Sequence, residues 1–187
     1  MPRLCPLQAN FLIAIALRAQ GCRVLAGGTD LYPGAGDQLS GDVLDLTAIP
    51  ALRGITAGPD GLRIGSCTTW SDLAEATLPP ALTALQQAAR QVGGRQVQNA
   101  GTIGGNLCNA SPAADGVPPL LTLDAVVELQ SKQGTRTLPL AEFILGPRKT
   151  AQVGSGKTRE PRPARTDRTI SGEFWRALQE SNLWPQD

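Results

Sequence analysis

The glycine-rich stretch Gln96-Val-Gln-Asn-Ala-Gly-Thr-Ile-Gly-Gly-Asn-Leu-Cys-Asn-Ala-Ser-Pro-Ala-Ala-Asp115 is the most informative part of this sequence. Asp115 carries its only charge, and the stretch is too polar for a core strand and too specific in composition for a flexible linker. Gly104 and Gly105 lack the Cβ atoms that keep other groups away from a backbone. Thr102 and Asn106 place short hydrogen-bonding side chains beside them. We therefore interpret this stretch as a ligand-binding loop.

A second glycine motif lies earlier, in Val24-Leu-Ala-Gly-Gly-Thr-Asp-Leu31, directly after a short apolar run. At the end of a strand, the backbone N–H groups of Gly27, Gly28 and Thr29 can form a concave anion site. Two such motifs together suggest one extended, phosphate-bearing ligand held between two lobes. Each motif taken alone also fits a simple tight turn, and Asp30 also fits a turn former or a helix cap.

The two motifs resemble those of a known flavoprotein family. Ala26-Gly-Gly-Thr-Asp-Leu31 and Thr102-Ile-Gly-Gly-Asn-Leu107, followed by Ala110-Ser-Pro-Ala-Ala-Asp115, look like the FAD-binding loops of the molybdopterin dehydrogenase family. That family includes FAD subunits or domains of xanthine dehydrogenase and carbon monoxide dehydrogenase. The likeness runs from about residue 5 to about residue 150, with both motifs in the family's order. A cell-wall reductase flavoprotein of the wider FAD fold is the other flavoprotein interpretation.

The resemblance implies an α+β, two-lobed FAD-binding fold of the PCMH type, with FAD between a small parallel β lobe and a mixed-sheet lobe. It implies a component that passes electrons from the 2Fe–2S clusters of an iron–sulfur subunit to FAD and on to NAD. Molybdopterin would lie in a separate molybdopterin-binding subunit. The residues implied to bind FAD are Ala26, Gly27, Gly28, Thr29, Asp30, Leu31, Thr102, Ile103, Gly104, Gly105, Asn106 and Asp115. Arg148 and Lys149 are either further contacts to phosphate or flavin, or a solvated pair near a strand end.

The order of predicted elements divides the chain into three parts. Residues 1–50 give a helix over 8–19 and two short strands near 23–26 and 43–46, which predicts a small parallel lobe. Residues 51–150 give a hairpin, helices starting near Thr69 and Pro80, and a second hairpin, which predicts an incomplete mixed-sheet lobe. Residues 151–187 have few aliphatic residues and no hydrophobic period, so we expect a poorly structured tail. A truncation or frame change after Thr150 explains this switch better than a natural short variant.

Composition excludes several other classes of function. The chain has no histidine, which excludes a Ser-His-Asp triad, and its four cysteines are too scattered for a zinc or iron–sulfur site. We therefore expect no catalytic residue and no metal ligand in this chain. A net charge of +1 without a basic stripe argues against nucleic acid. The longest apolar run, residues 11–17, is too short for a membrane span, so a cytoplasmic location is expected.

An inactive fragment that serves only as an assembly surface is the alternative to an FAD-dependent oxidoreductase component, and activity of the chain in isolation is doubtful.

Overall fold

The computed structural model describes residues 22–35, 39–58, 61–131 and 134–151. The helix predicted over residues 8–19 lies outside these ranges, as does the predicted tail apart from Ala151. Within the described ranges, no helix has both the length and the apolar character needed to cross a membrane.

A parallel strand pair forms the first part of the described fold. Strand β1 (Arg23–Leu25) pairs with β2 (Val43–Asp45), and a short 3-10 helix (Pro33–Ala35) lies in the connection between them. This confirms the predicted strand, crossover and parallel strand. Behind the pair, Leu44 and Ile49 are almost fully buried and form a small apolar cluster of their own. Because β1 ends at Leu25, the first glycine motif lies at the carboxyl end of a parallel strand, where ligands of open α/β sheets usually bind.

Three antiparallel strand pairs follow. They are β3 (Ile55–Gly58) with β4 (Gly61–Ile64), β5 (Val126–Ser131) with β6 (Gly134–Pro139), and β7 (Ile144–Gly146) with β8 (Lys149–Thr150). The first two pairs confirm the predicted hairpins. The sequence predicts a mixed sheet after residue 50, whereas each described pair there is a separate two-stranded antiparallel sheet. The combination of helices and small sheets confirms the α+β class.

Among the described residues, six short α-helices pack between these strands. They are α1 (Trp70–Glu75), α2 (Thr83–Gln91), α3 (Arg95–Ala100), α4 (Ile103–Asn109), α5 (Val117–Thr122) and α6 (Leu140–Phe143), with further 3-10 helices at Pro50–Leu52 and Pro80–Leu82. Helix α1 starts where the sequence predicts, with Thr69 as its N-cap, and Thr69 and Asp72 form a reciprocal capping box. Helix α2 buries Leu85 and Ala89 on one face, as its apolar spacing predicts.

The main core lies where α1, α2 and α6 meet the inner face of the β5–β6 hairpin. Trp70, Leu73, Leu85, Leu140 and Phe143 are the largest of its buried side chains. Alternate hairpin positions, which include Val127, Leu129 and Leu138, pack against it. Trp70 also extends to the glycine-rich stretch, so the core directly supports the candidate site.

Candidate cofactor-binding site

The glycine-rich stretch from Gln96 to Asp115 is mostly helical, which its sequence did not suggest. Helices α3 and α4 occupy most of it, and the extended residues Gly101 and Thr102 separate them. Two adjacent glycines in the first turn oppose helix formation, because each costs about 1 kcal/mol relative to alanine. Contacts with distant parts of the chain must therefore stabilise α4.

The start of α4 is fixed by hydrogen bonds to the protein itself. Ile103 N–H donates to the carbonyl of Thr68 at 3.0 Å, and Gly104 N–H donates to the carbonyl of Ser66 at 2.9 Å. The Thr102 hydroxyl caps the helix by accepting from Gly105 N–H at 3.1 Å. These three amides are already paired, so they are not open donors for a phosphate.

The lack of a Cβ at Gly104 also has an explanation within the protein. A Cβ built there would lie 2.6 Å from the carbonyl oxygen of Ser66, far inside normal contact distance. At Gly105, a Cβ would lie 2.9 Å from the Thr102 hydroxyl that caps the helix. Both glycines therefore allow α4 to pack closely on the Ser66–Thr68 segment and to keep its cap. The sequence alone suggests a close ligand at these glycines, whereas the structure shows close packing of the protein on itself.

The first glycine motif lies against the joint between α3 and α4. A Cβ built on Gly27 would lie 2.7 Å from the carbonyl carbon of Ala100 and 2.7 Å from the Cα of Gly101. Two backbones can meet this closely only where a side chain is absent. The structure thus brings the two motifs together, as their pairing in the sequence predicts.

The amides of Gly27, Gly28 and Thr29 have no hydrogen-bond acceptor within the described part of the chain. The carbonyls beside them are in use: Tyr32 N–H donates to Gly28 O at 3.0 Å, and Gly34 N–H donates to Asp30 O at 3.3 Å. Gly28 has a positive φ of 71°, which suits a glycine. Successive open amides with one residue in the left-handed region are the donor arrangement of an anion-binding nest.

Asn106 supplies an unpaired acceptor on the other motif. Its Oδ1 is buried and has no hydrogen-bond partner in the described structure. It lies beside Gly116, where a built Cβ would be 3.1 Å from this oxygen and 3.3 Å from Cζ2 of Trp70. An unsatisfied buried polar atom costs about 1–3 kcal/mol. A ligand that brings a hydroxyl or amide donor would remove this cost.

Asp115 is exposed, on the segment that follows α4. Within that segment, Ala113 N–H donates to the Ser111 hydroxyl at 3.3 Å and Ala114 N–H donates to the Ser111 carbonyl at 3.1 Å. The Asp115 carboxylate has no partner among the described residues and can accept from ligand hydroxyls. Asp30 is also exposed, on the first motif.

A buried cysteine lies under the start of α4. Cys67, between the two residues that hold the start of α4, is buried, and burial raises the pKa of its thiol. It is a neutral packing residue at physiological pH.

At the carboxyl end of α4, Arg148 N–H donates to Ala110 O at 2.8 Å, and its guanidinium donates to Asn109 Oδ1. Arg148 therefore contacts α4, and is not simply solvated.

Residues 4–158 match the family described as the FAD binding domain in molybdopterin dehydrogenase. The chain belongs to this family. It is 40% identical to the xanthine dehydrogenase FAD-binding subunit of Escherichia coli O157:H7 over an alignment of 134 residues. That alignment covers 69% of this chain and 46% of the relative. It is 33% identical over 139 residues to the carbon monoxide dehydrogenase medium chain of Hydrogenophaga pseudoflava, covering 71% of this chain and 48% of the relative. The chain thus spans about half the length of the curated relatives it matches.

Solved structures give the same family and fold. A carbon monoxide dehydrogenase chain from Hydrogenophaga pseudoflava superposes with a TM-score of 0.67 at 31% identity, over 74% of this chain and 50% of that one. A quinoline 2-oxidoreductase chain from Pseudomonas putida 86 also gives a TM-score of 0.67, at 25% identity, over 76% of this chain and 52% of that one. The α+β FAD-binding fold expected from the resemblance is confirmed.

The residues of this FAD-binding domain fit the cofactor unevenly. The open amides of the first motif suit a pyrophosphate, and the unpaired Oδ1 of Asn106 and the free carboxylate of Asp115 suit hydroxyl donors. Thr102, Ile103, Gly104 and Gly105 instead build and pack α4, which holds Asn106 in place. Sequence reasoning missed Ser66 and Thr68, because nothing local marks them as partners of a helix more than thirty residues later.

Proposed function

We propose that this chain binds FAD and forms part of the electron-transfer component of a molybdenum-containing dehydrogenase. One structural observation carries the proposal: the open amides of Gly27, Gly28 and Thr29 lie on a loop packed against the joint before α4. Membership of the FAD-binding family supports it. The uncharged donors and lack of histidine fit a site whose redox chemistry belongs to its cofactor.

Each part of the site has a separate role in this proposal. The amides of the first motif donate to the pyrophosphate, with Ala26 and Leu31 supporting the loop. Asn106 Oδ1 and the Asp115 carboxylate accept from hydroxyl groups, and Thr102 and Ile103 hold the helix that carries Asn106. Bound FAD supplies the one- and two-electron chemistry that connects iron–sulfur clusters to NAD. The protein binds and orients it.

The proposed partners are a molybdopterin-binding subunit and an iron–sulfur subunit, with NAD as the electron acceptor in the cytoplasm. The names of the relatives support a subunit role: one is an FAD-binding subunit of xanthine dehydrogenase and another is a carbon monoxide dehydrogenase medium chain. Another relative is the FAD-subunit of a nicotinate dehydrogenase. Because these substrates differ so much, we restrict the proposal to electron transfer and leave the partner's substrate open.

Titration of FAD into the purified chain tests this proposal, with Asn106→Leu as the decisive variant. Replacing an unpaired buried oxygen by an apolar group of similar size should leave the FAD-free melting temperature unchanged or raise it. The same change removes an acceptor for FAD and should weaken binding about tenfold, within the usual range for a lost hydrogen bond. Stability and affinity are therefore expected to move independently.

Two exposed carboxylates provide a matched comparison. Asp115→Asn should weaken FAD binding severalfold, whereas Glu142→Gln, on α6, should not change it. Failure of the wild-type chain to take up flavin would contradict the binding proposal and favour the assembly-surface alternative. Unchanged affinity in Asn106→Leu and Asp115→Asn would contradict the assigned residues.

A further inference from the structure

The turn between β7 and β8 adopts an unusual backbone conformation. Gly146 has a φ of 153° and Arg148 a φ of 57°, and the strand pairing is irregular between Ile144 and Gly146. A left-handed conformation is unfavourable for a residue with a Cβ, so other contacts must hold Arg148 there. The sequence Gly146-Pro-Arg-Lys149 does not indicate what those contacts are.

Arg148 makes two hydrogen bonds to the carboxyl end of α4. Its backbone N–H donates to Ala110 O at 2.8 Å, and its guanidinium donates to Asn109 Oδ1. Ala110 is the C-cap, buried and itself left-handed with a φ of 46°. A cation is also favourable at the carboxyl end of a helix. Two left-handed residues from distant parts of the chain are thus joined at one point.

The segment of residues 111–115 begins at this point. Inside it, Ala113 N–H and Ala114 N–H donate to Ser111, and the carbonyl of the buried Ala114 accepts from Val117 N–H at 3.0 Å, whereas Pro112, Ala113 and Asp115 are exposed. Its far end is thus tied to α5, and the direction in which it leaves α4 depends on the conformation of Ala110, which Arg148 holds. We propose that Arg148 is a positioning residue for FAD binding: its bonds to Asn109 and Ala110 set the place of the Asp115 carboxylate. The FAD part of this inference rests on the proposed function.

The chain offers variants that separate positioning from direct contact with FAD. Arg148→Gly deletes the guanidinium, keeps the backbone N–H and relieves the left-handed strain. Asn109→Ala removes only the acceptor of the guanidinium and leaves the charge of Arg148 in place. Lys149→Ala is the control, since Lys149 is the neighbouring exposed base and its side chain has no hydrogen bond or ion pair within the described residues.

Hydrogen exchange of residues 110–116 in the FAD-free protein is the first measurement, and it does not require FAD to bind. Arg148→Gly and Asn109→Ala should both speed exchange of the Ala113 and Ala114 amides, and Lys149→Ala should not. Normal exchange in both variants would overturn the positioning role. If the variants show this exchange pattern but the wild-type chain binds no FAD, the proposed function is contradicted, while the structural role of Arg148 remains supported.

The FAD dissociation constant, measured on the same variants, is the second readout. We expect Arg148→Gly and Asn109→Ala each to weaken binding about fivefold, and the double variant to be no weaker than the weaker single one, because both remove the same interaction. Lys149→Ala should stay within about twofold of wild type. Additive losses, or a loss in Arg148→Gly with none in Asn109→Ala, would overturn the inference in favour of direct contact with FAD. A lower melting temperature at unchanged affinity would overturn it in favour of a purely structural role.

Discussion

Asp72 shows how a single residue combines several structural roles. Its carboxylate accepts two hydrogen bonds from Arg53, at 2.9 and 2.8 Å, and one from the backbone N–H of Thr69 at 3.0 Å. The hydrogen bond from the Arg53 guanidinium is the main cause that holds the pKa of Asp72 below its usual value, and the bonds from Thr69 add to it. Asp72 thus fixes the start of α1 and ties it to the segment before β3.

The lowered pKa of Asp72 predicts a loss of stability in acid. A folded-state pKa below the unfolded value means that the stabilisation is complete above the unfolded pKa of about 4 and is lost as the pH falls through the folded pKa. Because the carboxylate is partly exposed, we expect a contribution of only about 1 kcal/mol at neutral pH. Urea unfolding at pH 7 and pH 3 should show a smaller pH dependence in Asp72→Asn than in wild type. The variant Glu142→Gln, at an exposed position, should retain the full pH dependence of the unfolding free energy. An equal change in unfolding free energy between pH 7 and pH 3 in Asp72→Asn and wild type would contradict the assignment.

Gly104 illustrates why a glycine in a sequence motif does not by itself indicate a ligand contact. The space that its Cβ would take is filled by the Ser66 carbonyl, a backbone group that cannot rotate away. A bulky substitution at Gly104 would strain the fold before any cofactor is present. Loss of FAD binding in such a variant would therefore not distinguish a ligand contact from a packing contact, whereas Asn106→Leu does.

Among the helices, local patterns predicted some elements well and others poorly. The spacing of Leu85 and Ala89 in α2 and the Thr69–Asp72 box of α1 lie within their own segments, so the sequence reveals them. Helix α4 has seven residues and two glycines, and such a short helix is unstable alone. The carbonyls of Ser66 and Thr68 stabilise it, and pairings over that distance leave no local pattern. For the same reason, the sequence located the motif but not its conformation.

The N-caps of α1 and α4 give a matched test at the level of helices. In each, a threonine hydroxyl accepts from the third backbone N–H of its helix, at 3.1 Å in both cases. Thr69→Val and Thr102→Val should each lower the free energy of unfolding by about 1 kcal/mol. Only Thr102→Val should also weaken FAD binding, because α4 carries Asn106 and leads to Asp115. Equal effects of the two variants on FAD affinity would contradict a specific role for α4.

At the scale of the whole molecule, the site depends on one close contact between two regions. The loop after β1 meets the joint of α3 and α4 through Gly27, and the rest of the candidate site lies on or after α4. The sequence predicted that the two glycine motifs would face each other. It did not reveal that the amides of the first motif are open while those of the second are paired, because that depends on the packing of residues 66–68 under α4.

This contact predicts how FAD should affect stability. A ligand that binds only the folded state adds about 2.7 kcal/mol at a concentration one hundred times its dissociation constant, so FAD should raise the melting temperature of the wild-type chain. In Gly27→Ala, the new methyl group would clash with the backbone of Ala100 and Gly101 and push the loop away from α4. The FAD-free protein should then melt lower, and the rise in melting temperature with FAD should shrink. Gly34→Ala, where a Cβ would meet nothing within 4 Å, is the control and should keep the full rise. An undiminished rise in Gly27→Ala would show that FAD does not depend on the contact between the two motifs.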